Sequence, residues 1–416
     1  MFNNVEDAIY WIEHIKRKEK RTSLDRMSKL LNILGNPQND YKKIHIAGTN
    51  GKGATCEITT SILIEEGYSV GRFVSPYILK FNERIVVNHK EISDDELLNL
   101  VNYIYPIIIK YNNDNDDIVP FFEVVTLIGF LYFKNKKVDY AVIECGLGGK
   151  LDATNVINPV LSIIPSVGFD HMKVLGDTLY DIAEHKLGIL KYNSHLITGV
   201  SEELYDLFKK DANSKNSTVE FIKENNLKAI CTFEGTSFEL DGVKYHTNLL
   251  GTFEALNASL AIKACQYISN PTKEEIDKAL NNIFWPGRLE LVSNNPLTIL
   301  DGGHNISAIN EVVKAIKAID KSLKFTVIYT GLSDKETDKV IKKLEDIADR
   351  FIITTIDDPR AKDPQVLFDE VSINQKILIN DEYKAYLKAK EYNKPILIVG
   401  SLHFVSSLRN FVLNNK

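Results

Sequence analysis

The sequence is poor in cysteine, in long apolar runs and in net charge, and each shortage closes off a class of protein. Its four cysteines, Cys56, Cys145, Cys231 and Cys265, are scattered and form no CxxC pair. That spacing argues against a disulfide framework or a zinc site and for reduced thiols in a core. No apolar run reaches the roughly 20 residues that a membrane-crossing helix needs. The first 20 residues hold an early acidic pair, Glu6 and Asp7, and no small-residue cleavage site, so a secretory leader is not expected. The 50 basic and 56 acidic residues are mixed along the chain and leave a formal charge of −6. Neither nucleic acid nor a membrane surface is expected as a partner, and the expected location is the cytoplasm.

What the chain does have is 416 residues with 44% apolar side chains, enough for two domains of ordinary size. Helical periodicity runs through 5–34 and breaks at Gly35-Asn36-Pro37. Strands are expected over 43–47, 68–74, 138–145 and 160–167, with helices over 57–66, 94–110, 122–135, 175–190 and 254–268. The run 138–145 is almost continuously apolar, as a buried parallel strand requires. This alternation predicts an α/β domain with a mainly parallel sheet. A second series follows, with strands over 297–300, 324–330, 350–355, 376–379 and 395–399. Helices over 303–319, 335–349, 363–370, 381–391 and 402–412 separate them. The second unit reads as a smaller, doubly wound, Rossmann-like α/β domain. The expected division is 1–293 and 294–416, close to Trp285-Pro286-Gly287-Arg288.

The most informative segment is Gly48-Thr49-Asn50-Gly51-Lys52-Gly53, which follows a strand and opens a helix. Glycines let backbone N–H groups approach phosphate oxygens, the helix N-terminus favours negative charge, and Lys52 adds a cation. The first domain is therefore expected to carry a P-loop that binds ATP, although the spacing is shorter than GxxxxGK[ST]. The plainer alternative is a tight strand-to-helix turn. Glu144 ends the apolar strand 138–145 and precedes Gly146-Leu147-Gly148-Gly149. A carboxylate at the carboxyl end of a parallel strand sits at the ligand edge of such a sheet, placed to hold Mg²⁺ or simply solvated. Asp170-His171 follows the neighbouring strand, and Ser75 follows the second one. His171 and Ser75 are candidate metal ligands, against a structural histidine and a turn hydroxyl. Lys186 lies on a helix, where a lysine is ordinarily solvated. Arg288 and Asp301 flank the expected domain boundary and could face a ligand cleft, against a surface ion pair and a turn or N-cap.

Taken in order, these blocks resemble the folylpolyglutamate synthase and dihydrofolate synthase family of the Mur ligase group. The resemblance covers nearly the whole chain. It rests on Leu24-Asp25-Arg26-Met27, the glycine loop, Ser75-Pro76, Asn82-Glu83-Arg84-Ile85 and Phe122-Glu123. It continues through the specific run Glu144 to Asn155, then Asp170-His171, Lys186, Asn257-Ala258, Trp285 to Arg288, Asp301-Gly-Gly-His304-Asn305 and Gly400-Ser401. It implies an ADP-forming ligase that phosphorylates the carboxylate of a pteroate or folate and joins it to L-glutamate. Matched by motif, Gly48 to Gly53 hold ATP phosphates, and Asn257, Arg288 and Asp301 meet adenine, phosphate and ribose. Ser75, Glu144 and His171 match the Mg²⁺ ligands, and Lys186 a lysine that is carbamylated in this group. Phe122, Glu123, Leu151 and Asp152 match the pterin side, with Glu19 to Thr22 as a looser match. His304 and the carboxyl-terminal domain help form the closed site that receives glutamate. The resemblance also implies a monovalent cation and a monomer.

The chain departs from the family pattern at Tyr77, Lys150, His185, Phe253, Glu254 and Ile306. The sequence therefore also allows a paralogue that joins an amino acid to a different carboxylate. An ATP-binding protein without turnover is disfavoured by Lys52, Glu144 and His171 together.

Overall fold

The structure, a computed structural model, describes residues 1–15, 23–77, 79–115, 117–333 and 335–415. Glu19 to Thr22 lie outside the described residues. Contacts gather the chain into two compact units, Met1–Lys223 with Leu256–Leu280, and Glu224–Ala255 with Asn281–Lys416.

The amino-terminal unit is built on eight strands: β1 (Lys42–Ile46), β2 (Val70–Phe73), β3 (Ile85–Val87), β4 (Lys90–Glu91), β5 (Tyr140–Glu144), β6 (Leu161–Ile164), β7 (His195–Thr198) and β8 (Thr218–Phe221). Their order is β4-β3-β2-β5-β1-β6-β7-β8. From β2 to β8 all neighbours are parallel, and β3 and β4 add an antiparallel edge. The chain leaves β1 toward β2 and β5 on one side and resumes at β6 on the other. The carboxyl end of β1 is thus a switch point, where open α/β sheets bind ligands. Ile46 pairs with Glu144 on one flank and Ile163 on the other, so three strands end at one level. Two glycines bring the helix Phe121–Asn135 onto this sheet. A Cβ at Gly71 would meet the Phe133 ring at 2.5 Å, and one at Gly129 the Phe73 ring at 2.8 Å.

Two expected helices are divided. The periodicity of 5–34 resolves into Val5–Glu13 and Asp25–Ile33. The expected helix 175–190 becomes Met172–Leu175 and Leu179–Leu187. Gly176 takes a positive φ of 102° between them, and Thr178 starts the second in a capping box with Asp181.

The carboxyl-terminal unit holds an antiparallel sheet, β9 (Ile230–Thr232), β10 (Gly235–Leu240) and β11 (Val243–Thr247). It also holds a six-stranded sheet, β12 (Glu290–Asn294), β13 (Leu297–Asp301), β14 (Phe325–Tyr329), β15 (Ala348–Ile353), β16 (Lys376–Leu378) and β17 (Ile396–Val399), ordered β12-β13-β17-β14-β15-β16. All its pairs are parallel except β12–β13. These contacts divide the chain differently from the expected 1–293 and 294–416. Position 293/294 falls inside β12, which is hairpinned to β13, and Glu224–Ala255 packs with the carboxyl-terminal half. No helix among the described residues is long and apolar enough to cross a membrane.

Candidate active site at the strand ends

The phosphate loop joins β1 to the helix Lys52–Glu65 and is meshed with the loop after β6. Thr49 N donates to Ser166 O at 2.9 Å, and Gly168 N donates to Thr49 Oγ1 at 2.9 Å. Ser166 Oγ accepts from Asn50 N and donates to Asn50 O, both at 3.0 Å. Gly51 is required where it stands. Its φ is +82°, and a Cβ there would lie 2.3 Å from Asn257 Oδ1. As the helix cap it offers no side chain to the first-turn N–H groups, which leaves them to an anion. The Lys52 ammonium donates to Gly48 O and Thr49 O at 3.1 Å each, and Nζ stands 3.9 Å from Glu144 Oε1. Gly53 lies in the first helical turn. The geometry thus brings Gly48 to Gly53, Lys52, Asn257 and Glu144 together.

Glu144 is buried at the end of β5, and Ser75 N donates to its Oε2 at 3.1 Å. Among the described residues no three His, Cys, Asp or Glu side chains gather as a metal cluster. Magnesium fits here nonetheless, because it is commonly held by one or two carboxylates, with water and substrate phosphates completing the octahedron. Glu144 and Ser75 beside an anion-binding loop meet that habit. His171 takes a left-handed φ of 50°, starts the short turn of helix after β6, and has its Nε2 3.9 Å from Asp170 Oδ2.

Lys186 overturns the reading of a solvated lysine. It is 3% exposed, and burial, reinforced by the charge of Lys52, pushes its pKa down to about 7. Cys145 and Asp170 oppose that shift. The burial comes from the loop Gly146–Lys150 lying on the end of the helix Leu179–Leu187. Lys150 N donates to His185 O at 2.7 Å, and a Cβ at Gly188 would sit 2.3 Å from Lys150 Cα. An amine that is half neutral near pH 7 can attack carbon dioxide, so the environment suits carbamylation.

On the acceptor side, Phe122 lies over Gly146, where a Cβ would meet its ring at 2.6 Å. Glu123 is buried and gripped by Arg26, whose Nε and Nη2 donate to its two oxygens at 2.7 and 2.8 Å. Arg26 Nη1 also donates to Asp117. Asp152 is buried and caps the turn Ala153–Val156, and Leu151 beside it is half-buried. The Arg26 grip is a contact that residue-by-residue reading passed over. The arginine stood in a quoted motif, but only the fold sets it against Glu123.

In the carboxyl-terminal unit, Asp301 ends β13 and is buried. It accepts from Leu289 N at 2.8 Å and Gly303 N at 2.6 Å. Burial raises its pKa, and the charge of Arg288 works against that rise. The turn Trp285 to Arg288 is held by Glu290, which accepts from Gly287 N at 2.9 Å and is clamped by Arg409 at 2.7 to 3.1 Å. His304 Nδ1 lies 3.2 Å from Gly302 O, and Asn305 caps the helix Ile306–Ile319.

The chain is similar to known proteins over nearly its whole length. Residues 108–265 match the Mur ligase middle domain, and residues 287–402 match the Mur ligase glutamate ligase domain. The chain is 35% identical to the dihydrofolate synthase/folylpolyglutamate synthase of Bacillus subtilis, over 98% of this chain and 99% of that protein. It is 32% identical to the folylpolyglutamate synthase of Lacticaseibacillus casei, over 99% of this chain and 100% of that one. Among solved structures, the folylpolyglutamate synthase of Mycobacterium tuberculosis, complexed with ADP and AMPPCP, superposes with a TM-score of 0.90 at 25% identity, over 98% of this chain and 99% of that chain.

Proposed function

The chain belongs to the folylpolyglutamate synthase and dihydrofolate synthase family of Mur ligases and is an ADP-forming ligase, and from that premise we propose that it joins L-glutamate to a folate-type carboxylate. The acceptor is dihydropteroate, giving dihydrofolate, or tetrahydrofolate, giving its polyglutamates. The observation that carries this reading is the strand-end group of Lys52, Glu144 and Lys186 behind an uncapped helix N-terminus.

A carboxylate resists an amine until one of its oxygens becomes a good leaving group. In the first step an acceptor carboxylate oxygen attacks the γ-phosphorus of ATP, and the bond to ADP breaks. In the second, the amine nitrogen of glutamate attacks the acyl carbon and phosphate leaves, forming the amide and releasing a proton. Gly48 to Gly53 hold the phosphates, and Lys52 offsets the negative charge that spreads over them during transfer. Glu144, Ser75 and His171 would hold magnesium, which when bound supplies further charge neutralisation. A carbamylated Lys186 would present a carboxylate to a second ion. Asn257 is assigned to adenine, and Arg288 and Asp301 to phosphate and ribose. Phe122, Glu123, Leu151 and Asp152 are assigned to the acceptor, and His304 to the closed site that receives glutamate. We assign ATP-phosphate and acceptor binding to the amino-terminal unit and the glutamate-ligase role to the carboxyl-terminal unit. A monovalent cation, a monomeric state and a cytoplasmic location complete the reading.

The test is phosphate release from ATP with dihydropteroate, tetrahydrofolate and unrelated acids, each with and without glutamate, and with product mass as a second readout. Release that needs both glutamate and a pteroate or folate is expected. Release with an unrelated acid alone would overturn the acceptor class and favour the paralogue. Potassium titration checks the monovalent cation and solution sizing the monomeric state.

A further inference from the structure

A buried hydrogen-bond chain connects the strand leading into the phosphate loop with the acceptor-side residue Asp152. His45 on β1 is fully buried, and its Nε2 lies 2.8 Å from Thr154 Oγ1 and 3.1 Å from Cys145 Sγ. Thr154 Oγ1 donates to Asp152 Oδ1 at 2.7 Å, and Thr154 N donates to the same oxygen at 3.0 Å. Leu147 N donates to Asp152 Oδ2 at 2.9 Å. Chemistry fixes the direction of this chain. The Asp152 oxygens accept from two backbone N–H groups and from the Thr154 hydroxyl, so the single hydroxyl hydrogen of Thr154 is committed to Asp152. Thr154 Oγ1 must then accept from His45, and Nε2 carries the ring proton. Nδ1 is left bare, a buried ring nitrogen with no hydrogen-bond partner among the described residues. Burial, aided by the charge of Lys191, pushes the pKa of the ring down to about 3, so the imidazole stays neutral with one proton to give.

We propose that His45 is a positioning residue for the acid substrate: acting through Thr154, it fixes the Asp152 carboxylate and reserves one acceptor position there for the N–H edge of a pterin-type heterocycle. A carboxylate offers about four acceptor positions, and three are filled inside the loop. The proposal rests on the reading that Asp152 meets the acceptor. It adds that the binding strength of this contact is set from β1, by a fully buried residue that acts through Thr154.

The test compares wild type with His45→Met, Thr154→Val, the double variant and His45→Gln, using whichever of dihydropteroate and tetrahydrofolate the wild type accepts. Thr154→Val removes the hydroxyl's bond to the Asp152 carboxylate and His45→Met removes the donor that orients that hydroxyl, so a KM for the acid up to about tenfold higher is expected in either single variant. The double variant should be no worse than a single one, because both cut the same chain. KM for ATP and kcat should hold within about twofold. His45→Gln keeps an N–H donor at similar reach and should restore most of the loss. Thr154→Val preserves shape, so it carries the test even where His45→Met fails to fold, with thermal unfolding as the check. Folded single variants with unchanged acid KM, or a rise shared equally by ATP, overturn the proposal, as does a multiplicative double variant. A wild type idle on both acids sinks the functional reading and this proposal together. An active wild type beside unchanged variants sinks this proposal alone.

Discussion

Each unit places a glycine turn at the carboxyl end of a parallel strand, Gly48 to Gly53 after β1 and Gly302-Gly303 after β13, but the two treat charge in opposite ways. At the first, Lys52 and Glu144 stand 3.9 Å apart, longer than a hydrogen bond, and Lys186 is buried with its charge disfavoured. At the second, Asp301 is held by two backbone N–H groups, and Glu290 is clamped by Arg409 while accepting from Gly287 N. The same sheet edge thus serves as a poised electrostatic site in one unit and as a rigid frame in the other. A strand end marks where a ligand can bind; the pairing of the charges there indicates which chemistry is left for the ligand.

The largest test of this contrast is loss of the poised charges. Glu144→Gln and Lys52→Met should each lower kcat for phosphate release by about a thousandfold, as expected for groups that offset charge in phosphoryl transfer. Their thermal stability should fall far less than kcat, because both substitutions keep the side chain's size and Lys52→Met gives up only the two bonds to Gly48 O and Thr49 O besides its charge. A fall of less than tenfold in either would break the contrast. The opposite signature belongs to the frame. Arg409→Ala leaves the largely covered Glu290 carboxylate without its countercharge, holding only Gly287 N, and should cost up to about 3 kcal/mol of unfolding free energy. The enzyme that remains folded should keep kcat near wild type. Urea unfolding measures the loss, and a cost under about 1 kcal/mol would show that the clamp is ornamental. Replacing both partners, Arg409→Met with Glu290→Met, should recover much of it, since no charge is then stranded.

The two sides of the contrast were not equally legible in the sequence. The glycine loop, the apolar run of β5 and Glu144 at its end are local features, and the fold places them as their local chemistry implies. The burial of Lys186 has no local signature. It requires Gly176 to break the helix and Gly149 and Gly188 to let two backbones touch, where added Cβ atoms would clash at 2.7 and 2.3 Å. The Arg409–Glu290 clamp joins residues 119 positions apart, beyond any pattern reading. The β10–β11 hairpin carries a local signal. Asp241-Gly242 separates two alternating runs, and both residues take positive φ, the signal of a type I′ turn. Asp152 carries two local signals, the acceptor-side motif and an N-cap two residues before Thr154, and the structure uses it as a cap.

The smallest expected effect concerns Lys186, and it ties the poised site together. In the folded, unmodified protein its pKa lies near 7, below the ordinary lysine value of 10.5. Between those values the unfolded chain binds the extra proton, so this group makes stability rise with pH across that window and contributes no slope below it. Carbamylation needs the neutral amine. From one unit below to one unit above its pKa the neutral fraction grows about tenfold, so at fixed dissolved carbon dioxide the initial rate of carbamate formation should rise by about that factor, and the equilibrium carbamate rises more steeply because each addition also releases a proton. Isotope-labelled carbon dioxide and NMR would follow it, with Lys186→Met as the blank. Burial is the main cause of the lowered pKa and the charge of Lys52 the second. In Lys52→Met the midpoint should therefore move upward but stay below that of a free lysine. An unmoved midpoint would mean that the two lysines do not share one field, and the strand-end group would then be a set of neighbours instead of a coupled site.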